Sequence, residues 1–241
     1  MNVSDDNSST LDLRSYGRRK GRKGSPRQAA LLRDVLPKVA VDLTAPLSTS
    51  GGRLDEGESP DANKRVFLEI GFGGGEHLVW QARANPGVTL IGCEPFEDGV
   101  VKVLDLIDRD KLDNIRLHMG DARDVLRWLP DASISRAFIL FPDPWPKRKH
   151  QKRRLVNPST LALLARVLKP GAELRFGTDI GDYARSALEA FEHEPRFRWL
   201  AERPSDWRIR PADWPETRYE QKAEREGRQR YYFRFRRKTS L

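Results

Sequence analysis

The sequence predicts an α/β fold, a mostly parallel sheet of seven strands with helices on both faces and an antiparallel strand closing its edge. Three observations carry it. Short apolar runs rich in β-branched and aromatic residues recur from Val66 onward. Apolar residues at helical spacing lie between the earlier runs. The last two runs are joined by a long polar insert without a clear helix, which fits an antiparallel pair.

Taken in order, residues 1–13 are polar and aperiodic and read as loop. Ser25-Pro26 reads as an N-cap followed by proline at the first helical position, with Leu32, Val35 and Leu36 on one side, so a short helix is expected to end near Pro37. The stretch 44–62 is rich in Gly, Ser, Pro and charge and reads as a linker. The expected division is therefore a basic extension over 1–62 and one α/β domain over 63–241. Strands are expected at Val66–Ile70, Thr89–Cys93, Ile115–Met119, Ala137–Phe141, Glu173–Phe176, Phe197–Leu200 and Tyr231–Phe235. Val100, Val103, Leu104 and Ile107 share one helical face. Asn157-Pro158 caps a helix carrying Leu161, Leu164 and Leu168, with Lys169-Pro170-Gly171 as its stop, and Tyr183, Ala187, Leu188 and Phe191 mark another helix.

Composition narrows the class of molecule. A chain of 241 residues with 38% apolar and 33% charged residues affords one core under a very polar surface, which excludes disorder throughout. Lysine and arginine number 44 against 35 acids, and a net charge of +9 favours a polyanionic partner, with an anionic membrane as the competitor. No apolar run approaches the ~18 residues of a spanning helix, and Met1-Asn-Val-Ser-Asp-Asp has no secretory character. The expectation is a cytoplasmic protein. Cys93 is the single cysteine, which excludes an internal disulfide and gives no zinc set, so no metal is expected.

Glu69-Ile70-Gly71-Phe72-Gly73-Gly74-Gly75 stands where the first strand gives way to a helix. Glycines there permit positive φ and close approach to a ligand. The spacing Gly71-x-Gly73-x-Gly75 departs from the dinucleotide pattern, and Glu69 offers nothing to a pyrophosphate. A cationic ligand without phosphate gains from it, which favours S-adenosylmethionine over a nicotinamide cofactor. Glu94 ends the next strand, where an acid accepts ribose hydroxyls, and Asp121 follows the third, where a carboxylate accepts from an adenine amino group. Each acid alone is equally a solvated strand end or a helix cap. The three together, at consecutive strand ends, point to a cofactor site.

After the fourth strand, Pro142-Asp143-Pro144-Trp145-Pro146 predicts a stiff, extended turn. Trp145 there is expected on the core, whereas the flanking prolines deprive Asp143 of neighbouring amides to cap. Lys147-Arg-Lys-His-Gln-Lys-Arg-Arg154 follows, with six positive charges in eight residues. Such runs are usually solvated faces, but this one adjoins the proposed reaction centre and suits phosphate contacts. Arg14–Arg27 is a second basic segment. Arg228–Lys238 is a third, interleaved with Tyr231, Tyr232, Phe233 and Phe235, and is read first as a strand and second as a stacking surface for bases.

These residues resemble the bacterial tRNA (guanine-N7)-methyltransferases. The likeness rests on Arg14–Arg19, Glu69–Gly75, Pro142–Arg154, Thr178-Asp179 and Thr217-Arg-Tyr-Glu220, and covers residues 14–238. It implies a Rossmann-like class I methyltransferase fold and transfer of the S-adenosylmethionine methyl group to N7 of guanine at position 46 in the tRNA variable loop. It also implies cofactor contacts by Glu69, Gly71, Gly73, Glu94, Asp121 and Asp143, with Asp143 the catalytic residue. Substrate contacts are implied for Lys147, Asp179, Thr217, Arg218, Tyr219 and Glu220, and RNA contacts for Lys149, His150, Gln151, Lys152, Arg153 and Arg154. An adenine amino-methyltransferase competes through Asp143-Pro144-Trp145, although the second proline of that motif is missing. A dehydrogenase is weakened by the glycine spacing and Glu69, and a non-catalytic RNA-binding protein leaves the four acids unexplained. A monomer is the default expectation.

Overall fold

The structure, a computed structural model, describes residues 24–47 and 65–239. The Arg14–Arg19 motif, the basic segment before Gly24 and most of the expected linker lie outside them. The described residues form a seven-stranded sheet of β1 (Arg65–Ile70), β2 (Val88–Cys93), β3 (Ile115–His118), β4 (Ile134–Leu140), β5 (Leu168–Thr178), β6 (Phe197–Trp199) and β7 (Tyr231–Arg237), in the order β3-β2-β1-β4-β5-β7-β6. β1 to β5 are parallel, and β7 runs antiparallel to both β5 and β6. The antiparallel strand thus lies next to the edge, and short β6 is the edge. Strand order reverses between β1 and β4, so the carboxyl ends of β1, β2 and β4 open on one crevice, where such sheets bind ligands.

The helices are α1 (Pro26–Asp34), α2 (Leu36–Val39), α3 (Glu76–Ala84), α4 (Glu97–Asp110), α5 (Ala122–Trp128), α6 (Pro158–Val167), α7 (Gly181–Glu192), α8 (Ser205–Arg208) and α9 (Arg218–Arg225). Val66 to Ile70 are buried on both faces of β1, which is why that strand reads as a continuous apolar run rather than an alternation. Leu31, Leu78, Val100, Val103, Leu104 and Ile107 from α1, α3 and α4 pack with Phe67 and Leu90 on one face of the sheet. Val125, Leu126, Leu161, Leu164, Tyr183 and Phe191 from α5, α6 and α7 pack on the other. Each such fully buried side chain stabilises the fold by about 1.5–3 kcal/mol.

Several local expectations are corrected. Ser25 caps α1 and forms a capping box with Gln28, but the chain kinks at Val35 and resumes as α2. Pro37 does not end it, because in the first turn of α2 its missing amide has no partner to lose. Lys169-Pro170-Gly171 does follow α6, which ends at Val167, but it lies inside β5, and Leu168 belongs to that strand and not to the helix: it pairs with Ile134, and the register shifts before Arg136 pairs with Glu173. The insert before β7 holds α8 and α9. Tyr232, Phe233 and Phe235 are buried, with Phe233 stacked on Phe176 at 6.0 Å, so they serve the core and not bases.

Candidate cofactor and RNA site

The glycine turn leaves β1 with Gly71 at φ 75°, Gly73 at 55° and Gly75 at 82°, a region that side chains other than glycine rarely adopt. The Gly71 amide donates to the Cys93 carbonyl at 2.8 Å, tying the ends of β1 and β2 together. Space is as tight as conformation here. A Cβ on Gly75 would stand 2.2 Å from Val103 Cγ2, and one on Gly99 would stand 2.3 Å from the Gly73 carbonyl oxygen, so α4 packs directly on the turn. Nothing lies within 4 Å of where a Gly71 Cβ would stand, which leaves ligand space beside the strand end.

Glu94 crosses from β2 to this turn. Its Oε2 accepts the Gly73 amide at 2.9 Å and its Oε1 the Phe96 amide at 3.0 Å. Burial raises its pKa; the two amides oppose the rise, and the carboxylates of Asp143 and Glu69 add to it. Asp121 caps α5 by accepting the Arg123 amide at 2.9 Å, and its carboxylate also pairs with the Arg123 guanidinium at 2.5 Å. Asp143 stands opposite. Its side chain opens into the cleft, no hydrogen bond or ion pair to it is formed by the described residues, and the surrounding walls raise its carboxyl pKa by desolvation. The turn that holds it is kinked at both ends, with Phe141 at φ 50° and Trp145 at φ 42°, where the prolines alone suggested extended chain. Trp145 is not a core residue: it lines the cleft, with Arg153 Cζ 5.0 Å from its ring centre.

Gly71, Gly73, Glu94, Asp121 and Asp143 thus meet in one cleft of about 450 Å³. Phe96, Asp98, Lys102 and Arg123 also line it, and the sequence reading did not single them out. Asp98 is the intelligible omission, since an acid in the first turn of a helix is adequately explained by the helix dipole. Glu69 does not line the cleft. It is buried behind the turn, where His77 Nδ1 lies 2.7 Å from its carboxylate and Gln81 in turn contacts His77 at 3.2 Å. Its charge reaches the cleft, but its oxygens do not.

The segment Thr217–Glu220 divides in the same way. Arg218 and Tyr219 hang over the glycine turn and line the cleft, with Arg218 paired to Glu76 at 2.9 Å. Thr217 and Glu220 face inward as the capping box of α9, each bonding the other's amide, and Glu220 also accepts the Tyr232 hydroxyl at 2.8 Å. Both side chains are thus occupied in the cap and turned from the cleft, and Thr-x-x-Glu before a helix was a legible signal for that role. Asp179 accepts from Arg228 at 2.7 Å. Within the basic run, which forms a 3-10 turn over Arg148–Arg153, Lys147, Lys149 and Lys152 are exposed and Lys152 stands at the cleft. His150 is half-buried beside Trp145 at 6.0 Å, and Gln151 donates to Asp182 at 2.8 Å. Arg154 is buried, so its charge is not presented to a phosphate.

A family model described as "Putative methyltransferase" matches residues 63–233. The tRNA (guanine-N(7)-)-methyltransferase of Ruegeria pomeroyi is 50% identical over 227 residues, 92% of this chain and 93% of that protein. Its namesake from Rhodospirillum rubrum is 50% identical over 230 residues, 95% and 89% of the two chains, and that from Zymomonas mobilis is 46% identical over 224, 93% and 94%. The fold is shared more widely. The 16S rRNA methyltransferase KamB aligns with a TM-score of 0.51 at 18% identity, covering 73% of this chain and 88% of that one. The cyclase SpnF aligns at 0.50 and 15% identity, covering 73% and 76%. Likeness at that level concerns architecture alone, whereas matched length and half-identical sequence place this chain in the tRNA (guanine-N7)-methyltransferase family.

Proposed function

We propose that the protein transfers the methyl group of S-adenosylmethionine to N7 of the guanine at position 46 of tRNA, acting as a cytoplasmic monomer. The observation that carries this reading is the cleft itself: Glu94, Asp98, Asp121 and Asp143 line it beside an open glycine turn, with Lys152 at its rim. Lys102, Arg123 and Lys152 also line the cleft and Asp121 is paired with Arg123, but Glu94, Asp98 and Asp143 form no salt bridge among the described residues and suit a donor that carries an ammonium and a sulfonium and no phosphate. When bound, that donor supplies an electrophilic methyl group on sulfur. Glu94 and Asp121 sit at the strand ends suited to ribose hydroxyls and an adenine amino group, and Phe96 offers an apolar wall.

Guanine N7 has an in-plane lone pair and no hydrogen, so its attack needs no general base. The chain's task is to align the base and to support the positive charge that develops on it. Asp143 suits both. With no partner among the described residues, its carboxylate can accept from guanine N1–H and N2–H, fixing the ring and favouring the cationic product. Asp179, another carboxylate for which the resemblance implies substrate contact, is held by Arg228. Lys147, Lys149 and Lys152 present charge to the phosphates flanking the target base.

The test is methyl transfer from a methyl-labelled donor to an unmodified tRNA transcript, followed by nucleoside analysis. Label in 7-methylguanosine at position 46 is the expected result. Label in N6-methyladenosine, or no label with tRNA bound, overturns the reading.

A further inference from the structure

The last cation of the basic run is turned away from solvent. Arg154 is 4% exposed, and its guanidinium is engaged on every edge. Nε donates to the Pro144 carbonyl at 3.0 Å, Nη1 to the Ser186 hydroxyl at 2.7 Å and the Asp182 carbonyl at 3.3 Å, and Nη2 to the Asp182 carboxylate. Its plane lies over the Tyr183 ring, 4.9 Å from the centre. Tyr183 is fully buried on α7, and its hydroxyl accepts the Val156 amide at 3.1 Å.

Asp143 needs an external anchor of this kind. Pro142 and Pro144 have no amide, so two of the turn's backbone donors are missing, and the Phe141 amide, which donates to the Gly177 carbonyl at 2.7 Å, holds only its start. Its free carbonyl at Pro144, one residue from Asp143, is gripped by Arg154 and through it by α7. The same bond joins the two ends of residues 144–154, the loop that carries the exposed lysines. Four acceptors spread around the group are met from three nitrogens of a planar fork, whereas a lysine ammonium carries three donors on a single nitrogen and cannot span them.

We propose that Arg154 is a positioning residue for methyl transfer, closing the lysine-bearing loop onto the Asp143 turn and fixing both to α7. The proposal rests on the functional reading above, in which Asp143 acts on the target base. RNA held by the exposed lysines then loads the same closed loop that sets the position of the carboxylate.

Arg154→Lys and Asp182→Ala test it, read by kcat at saturating donor and tRNA, by the salt dependence of tRNA affinity, and by hydrogen exchange of the Phe141, His150 and Val156 amides, which donate to the Gly177 and Lys147 carbonyls and the Tyr183 hydroxyl. Displacement of a reacting geometry by an ångström costs up to about a hundredfold in rate, so kcat is expected to fall roughly ten- to a hundredfold in Arg154→Lys and in the same direction, by less, in Asp182→Ala. Exchange of these amides quickens in both, while the salt slope stays at the wild-type value. Lys152→Ala, in contrast, lowers the slope by roughly one phosphate contact. Retained kcat with a lowered slope in Arg154→Lys, or unchanged exchange in both variants, overturns the proposal. Asp182 is largely exposed, so its variant decides the matter if Arg154→Lys does not fold. Should the wild-type protein methylate no guanine, the functional reading falls, while the exchange comparison still decides whether Arg154 holds the turn.

Discussion

The Gly73 amide donates to the Glu94 carboxylate at 2.9 Å, so the acid at the end of β2 is aimed by the turn that leaves β1. The pair fixes the Glu94 carboxylate at the place where the proposed donor's ribose would bind, and it sets that carboxylate in a buried position.

Glu94→Gln is therefore expected to show both effects. Burial holds the folded-state pKa of Glu94 above the ordinary value of 4.5, so the folded state binds this proton more tightly than the unfolded state does. Its contribution then opposes folding increasingly as pH rises from 4.5 through the raised value, and is constant outside that window. The stability difference between variant and wild type should shift toward the variant as pH rises from 4.5 through the raised value, as read by urea midpoints, while donor affinity measured by calorimetry falls. A difference that does not change with pH would deny Glu94 its buried charge.

Asp143 makes a kinetic prediction. Asp143→Asn should lower kcat by about 10²–10³, the usual cost of removing one electrostatic contact to a developing charge, and leave tRNA affinity within about twofold. Desolvation raises the Asp143 pKa, so wild-type activity should fall as pH drops through a value above the ordinary 3.8, and this acid limb should be missing from the variant. An acid limb that persists unchanged in Asp143→Asn would deny the Asp143 carboxylate this role.

The capping box of α9 links stability to the cleft. Thr217→Ala removes an N-cap and should cost about 1 kcal/mol, a fall in Tm of about 2–4 °C for a chain of this length. Because Arg218 and Tyr219 are the first residues of the helix that Thr217 caps, KM should rise along with the lost stability. Thermal denaturation beside steady-state kinetics checks it; a stability loss with KM intact would confine the box to folding.

What could be read from sequence follows the range of the interactions involved. β1, β2 and β4 were legible because a doubly covered strand must be apolar throughout, and Glu94, Asp121 and Asp143 because strand ends are where a parallel sheet exposes polar side chains. Glu69 and Arg154 were not, because sequence shows that a charge is present and not which way it turns. Glu69 points to His77 on α3, eight residues on, and Arg154 to α7, 28 residues on. The same holds for Arg175, an apparent surface arginine in β5 that is 2% exposed and bonded to Glu173 at 2.6 Å and Asp213 at 2.6 and 3.0 Å. That contact holds the insert that leads into Thr217. Its partner lies 38 residues on, beyond α7 and β6, in an insert where no periodicity marks a contact.

Gly99 was passed over for a related reason, since one glycine in the first turn of α4 carries no local signal, yet the structure makes it a sharp test of the cleft. A Cβ there would stand 2.3 Å from the Gly73 carbonyl oxygen, a backbone atom that cannot rotate away, and 3.2 Å from Glu94 Cγ. Gly99→Ala must therefore push α4 off the glycine turn, an overpacking that costs typically about 1–3 kcal/mol. It should also lower donor affinity by about tenfold, equivalent to about 1.4 kcal/mol, because Phe96 and Glu94 move with the helix start. Gly87→Ala is the matched control, since nothing lies within 4 Å of its Cβ position. Calorimetric donor titration of the two variants separates the cases: equal affinity in Gly99→Ala and Gly87→Ala would mean that the turn and α4 do not form the donor site together, and the contact between Gly73 and Gly99 would be packing alone.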